Sequence, residues 1–96
     1  MNKMAFDTEL KKIVETGRKY GARRILLFGS CLEDTATARD IDIAVSGIAP
    51  EHFFDFYADV SMNIPDEADI IDLDDADEHL RRRIETKGKI LYEHTF

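Results

Sequence analysis

Ninety-six residues with a 44% hydrophobic share suit one modest core and one domain over 1–96, with little left for a second substrate-binding lobe. A formal net charge of −7 at pH 7 argues against a general nucleic-acid binder, which needs a basic face to neutralise phosphates. Cys31 stands alone, so no intramolecular disulfide is available; with no secretory leader and no apolar run long enough for a bilayer, a cytoplasmic chain without membrane contact is expected.

From Phe6 to Tyr20, Leu10, Ile13, Val14 and Gly17 recur at helical spacing, with Lys11, Lys12, Glu15 and Arg18 off that stripe. This predicts an amphipathic helix stopped by Gly21. Arg24-Ile25-Leu26-Leu27-Phe28 reads as a short buried strand closed by Gly29-Ser30. After a polar excursion, Asp40 to Ser46 alternates with period two. Ile41, Ile43 and Val45 share one face, and Asp40, Asp42 and Ala44 share the other.

Gly47 ends that strand and Pro50 suits the first position of the next helix, whose Phe53, Phe54, Phe56, Tyr57 and Val60 read as core residues. Ile64-Pro65 breaks it, and Ala68 to Leu73 predicts a third strand. Asp77 or a neighbour caps a last helix carrying Leu80 and Ile84 and ended by Gly88; Lys89 to Tyr92 closes the chain as a strand or docked tail. The fold class is α/β (α+β): a small mixed central sheet flanked by helices.

Acids crowd the stretch from Asp66 to Glu78, and most of them read as a solvated rim. The carboxylates embedded among β-branched residues call for a chemical reading. Two aspartates at i and i+2 of a strand, Asp40 and Asp42, project from one face and repel each other unless a cation stands before them. Mg²⁺ held by one or two carboxylates and substrate phosphates is the usual remedy. Gly29 lets backbone approach a phosphate closely, and the Ser30 hydroxyl and following N–H groups suit an anion.

Leu26-Leu27-Phe28-Gly29-Ser30, nine residues, then Asp40-Ile41-Asp42-Ile43-Ala44-Val45 resembles the signature of the polymerase β-type nucleotidyltransferase superfamily. The resemblance extends over nearly the whole chain and is closest to the minimal nucleotidyltransferases; Leu80 to Ile84 and Lys87 to Glu93 look like that group's ending. It implies a nucleotidyltransferase-like fold and Mg²⁺-dependent transfer of a nucleoside monophosphate from a nucleoside triphosphate, ATP above all, to an acceptor hydroxyl. By the same resemblance, Gly29 and Ser30 bind the triphosphate while Asp40 and Asp42 are catalytic metal ligands. The family's third carboxylate falls on Asp69; Asp72, of opposite strand parity, is the alternative, which a bulge would favour.

Family resemblance further implies a HEPN-domain protein as partner and acceptor, with this chain the antitoxin of a toxin–antitoxin pair. A homo-oligomer stays open. The rival expectation is a catalytically weak or silent module that neutralises a partner by contact. It is favoured by the excursion Cys31 to Arg39, which lacks Gly and Pro and is one residue shorter than the family's usual. Arg39, beside the metal pair, reads as a surface residue or a phosphate contact. His52, His79 and His94 show no zinc spacing with Cys31, and Arg81-Arg82-Arg83 reads as a solvated helix face.

Overall fold

Two apolar runs, Arg24–Phe28 (β1) and Asp40–Ser46 (β2), form the middle of a four-stranded sheet. The computed structural model describes residues 3–29 and 40–94, apart from the side chains of Lys3 and Asp40. The outer strands are Glu67–Asp72 (β3) and Lys89–Glu93 (β4), giving the order β3-β2-β1-β4. β1 runs antiparallel to both β2 and β4, whereas β2 and β3 are parallel, so the sheet is mixed.

Helices Lys3–Lys19 (α1) and Pro50–Asn63 (α2) cover one face of the sheet. Their Ile13, Phe56 and Val60 pack with Ile25, Leu27, Ile41, Ile43 and Val45, the period-two set of the central strands. The Tyr20 hydroxyl donates to Asp59 Oδ2 at 2.5 Å and ties the two helices together. Helix Glu78–Lys87 (α3) lies on the other face, where Leu80 and Ile84 join Leu26, Ala44 and Leu73, with Phe28 and Ile71 at the margin. This second core is small, and the carboxylate-bearing ends of β2 and β3 lie beyond it.

Element types follow the sequence expectations, and four details differ. α1 starts at Lys3 rather than Phe6, because Phe6 is buried and needs a helical turn before it to seat it. β3 spans Glu67–Asp72 instead of Ala68–Leu73: its ladder opens with Glu67 opposite Asp40, and Leu73 leaves the strand to bury itself under α3. Phe54, read as core, is 82% exposed. Phe56 and Val60 point inward one turn apart, and Phe54 sits about 200° from Phe56 around the helix, on the solvent side.

Gly88 ends α3 as expected, but its φ is −74°, so left-handed backbone is not the reason. A Cβ there would meet the Ile84 carbonyl oxygen at 2.5 Å and that of Leu27 at 3.2 Å. The glycine lets the end of α3 press onto β1. None of the described helices is long and apolar enough to cross a membrane.

Candidate active site

β1 ends where Phe28 faces Asp42 across the antiparallel ladder, and the chain turns at Gly29 with φ +79°. That sign is tolerated by glycine and resisted by residues with a Cβ. Space imposes the same choice. A Cβ on Gly29 would run into the Asp42 carboxylate, 2.9 Å from its Cγ. The glycine backbone and this carboxylate therefore stand in direct apposition, half-buried at Asp42 and open at Gly29.

In the parallel ladder, Asp42 is the partner of Asp69. Partners in register project from the same face, so both carboxylates lie on the face that carries Leu26, Ala44 and α3. Like charges directly opposite one another are destabilising unless a cation or proton intervenes. Asp40 opens β2 opposite Glu67; its side chain, like all of Ser30, lies outside the described residues. Cys31 to Arg39, including the arginine read as a surface residue or a phosphate contact, lie outside them too. Glu67, read from the sequence as part of the acidic rim, is exposed and shares the parity of Asp69.

Asp72 pairs with Val45, whose side chain belongs to the opposite core, so no bulge brings Asp72 round to Asp69's face. It accepts a hydrogen bond from the Asp74 N–H at 3.1 Å. Asp74 in turn accepts from the Gly47 N–H at 2.8 Å, and Asp77 caps α3 by accepting from the Leu80 N–H at 2.8 Å. Most of the acidic run is solvent-exposed, as a rim would be, and Asp72, Asp74 and Asp77 within it also serve as turn and cap acceptors.

Among the described residues, no group of three or more His, Cys, Asp or Glu side chains is arranged to hold a metal ion. The Asp42–Asp69 pair supplies two carboxylates, and the position of Asp40 stands at the head of the same strand. A depression of about 510 Å³ is lined by Arg23, Arg24, Ser46, Gly47 and Asp74 among others. It sits at the far end of the sheet. Its charges are mixed and it shares no residue with the carboxylate pair, so the chemistry points to the Gly29–Asp42–Asp69 corner instead.

Comparisons agree with that placement of the fold. The chain is similar to a chain of a toxin–antitoxin crystal structure with AMP-PNP, at 26% identity and a TM-score of 0.74, covering 90% of this chain and 74% of that one. It is similar at 25% identity and a TM-score of 0.71 to a chain of the complex of a tri-AMPylated Shewanella oneidensis HEPN toxin with its MNT antitoxin, covering 92% of this chain and 72% of that one. A chain of the MntA–HepT toxin–antitoxin structure, 24% identical with a TM-score of 0.70, shares the fold over 92% of this chain and 73% of its own length. No curated protein matches the sequence. The family described as polymerase beta, nucleotidyltransferase, matches residues 11–95. That span takes in all four strands, α2, α3 and most of α1, and the chain belongs to the polymerase beta nucleotidyltransferase family as one of its minimal members.

Proposed function

We propose that this chain transfers AMP from ATP to a hydroxyl of a HEPN-domain partner, in the cytoplasm, as the antitoxin of a toxin–antitoxin pair. The observation that carries the reading is the pairing of Asp42 with Asp69 on one face, with Gly29 drawn against the Asp42 carboxylate. Carboxylate oxygens are the donors that Mg²⁺ prefers, and two facing acids leave room for cation charge between them. Asp40, Asp42 and Asp69 would hold the metal, and bound Mg²⁺ neutralises phosphate charge and polarises oxygen.

The residues themselves have separate work. Gly29 brings backbone close to the triphosphate without a side chain in the way, and Ser30 offers its hydroxyl to the phosphates. Asp69, the more exposed carboxylate, takes the proton of the attacking hydroxyl as its oxygen bonds to the α-phosphorus. The bond from that phosphorus to the β-phosphate bridge breaks, and pyrophosphate leaves. Catalysis then rests on positioning and charge, with no covalent enzyme intermediate. The AMPylated state of the toxin in the Shewanella complex and the AMP-PNP of the other relative support ATP and a protein acceptor.

The test uses the chain with its HEPN partner, Mg²⁺ and ATP labelled at the α-phosphate, read by intact-protein mass spectrometry. Label and one AMP mass increment are expected on the partner with the wild type and absent with Asp42→Asn. A partner left unlabelled by the folded wild-type chain, or labelled equally by the variant, would overturn the mechanism.

A further inference from the structure

The run Arg81-Arg82-Arg83 reads from the sequence as one solvated face, and the structure divides it. Arg81 approaches Glu85 at 3.9 Å and Arg82 pairs with Glu78 at 3.0 Å. Arg83 has no ion-pair or hydrogen-bond partner among the described residues, and neither has Lys87, one turn later. Both are exposed.

Their direction follows from the contacts of α3. Ile84 packs down onto Leu26 and Ala44, which fixes the inward side of the helix. Glu85 lies about 100° round from Ile84 and meets Arg24 at 3.0 Å. Arg24 pairs with Ser46, at the end of β1 remote from Phe28 and Asp42. Lys87 and Arg83 lie about 60° and 100° round from Ile84 in the opposite sense. On this face of the sheet, the direction away from Arg24 leads to Asp42 and Asp69. Gly88 anchors the same helix end against the Leu27 carbonyl, one residue before Phe28.

We propose that Arg83 and Lys87 form the cationic wall that grips the β- and γ-phosphates of the bound triphosphate and steadies the departing pyrophosphate. The assignment rests on the nucleotidyl-transfer reading and names the residues that hold its leaving group. A chain of net charge −7 with acids on the paired strands β2 and β3 must recruit a polyanion against its own field. Two unpaired cations, at i and i+4 on the flank facing those acids, would counter that field around the phosphate tail. A last-turn lysine also complements the helix dipole, which would account for Lys87 alone. Arg83, a turn earlier, has no such account.

Calorimetric titration of the full chain with ATP and with AMP, each with Mg²⁺, tests this directly. Arg83→Gln and Lys87→Gln should each weaken ATP binding on the order of tenfold. AMP binding should stay unchanged, since AMP lacks the contacted phosphates. Arg82→Gln, which breaks an exposed ion pair on the outer side, should leave both affinities unchanged, and Lys87→Arg should restore most of the loss. Thermal melts confirm folding of each variant. If the wild type binds ATP and both glutamine variants bind it equally well, or lose AMP binding in parallel, the wall is refuted while nucleotidyl transfer stands. A folded wild type that binds no ATP overturns both.

Discussion

Gly29 shows how one residue couples backbone conformation to the site. Gly21 and Gly29 share a left-handed φ, +86° and +79°, yet nothing lies within 4 Å of a Cβ at Gly21, whereas at Gly29 the Asp42 carboxylate fills that volume. Gly21→Ala is therefore expected to cost only the backbone term, roughly 1–2 kcal/mol, with ATP affinity intact. Gly29→Ala should cost more, about 2–3 kcal/mol, and also displace the carboxylate. Urea unfolding alongside ATP titration separates the two, and equal ATP affinity in both alanine variants would show that the apposition has no bearing on the ligand. Glu9 is the other residue whose surroundings decide its chemistry. It is 3% exposed, and neither side-chain oxygen has a hydrogen-bond partner. Burial first, then the neighbouring Asp66 carboxylate, pushes the Glu9 carboxyl above the usual carboxylate range, against smaller opposite pulls from the Asp66 backbone N–H and from Lys12.

The sign of that shift sets a pH dependence. An acid that holds its proton more tightly when folded stabilises the native state below the ordinary carboxylate range, and this contribution is lost as pH rises through the raised value. Glu9→Gln keeps the shape, removes the charge and gives Asp66 an amide donor. It should raise stability at pH 7 by on the order of 1 kcal/mol, with the gain shrinking toward pH 4. Denaturant melts of both proteins across that range measure it; a gain that grows on acidification would contradict the assignment.

At the scale of elements, α3 is the part most dependent on its ends. Ten residues are marginal as an isolated helix, so packing and capping must hold it. Asp77 accepts the Leu80 N–H, and Gly88 lets the last turn seat on β1. Asp77→Ala should cost about 1 kcal/mol. Because α3 carries Arg83 and Lys87, frayed ends should also weaken ATP binding modestly while leaving the Asp42–Asp69 ladder in place. Amide exchange would locate the loss in residues 78–87. Uniformly faster exchange across β2 and β3 would show that the cap supports the whole sheet instead.

For the whole molecule, the placement of charge matters more than its total. Acids gather where β2 and β3 begin, on a face that α3 only partly covers, so cation and nucleotide binding should couple strongly to folding. At a ligand concentration near 100 Kd, the native state gains ~2.7 kcal/mol. For a domain of this size that is a rise of roughly 10–20 °C in Tm. Scanning calorimetry with Mg²⁺ and ATP together should show this rise in the wild type and lose it in Asp42→Asn. A variant that is stabilised equally would place the ligand elsewhere on the surface.

Periodicity alone made the strand faces legible. Ile41, Ile43 and Val45 had to share one face and Asp42 and Ala44 the other, and Gly29 marked where β1 had to stop. Helix ends were readable for the same local reason, as with Pro50 opening α2 and Asp77 capping α3. Pairing is not local. That β3 lies parallel to β2, setting Asp69 opposite Asp42 and Asp72 opposite Val45, depends on strands far apart in the chain finding one register. The same holds for Phe54 turning outward while Phe56 is buried, and for Glu9 meeting Asp66. A sequence lists which side chains are available and on which period they repeat. Only packing decides which of them end up facing the same few ångströms of space.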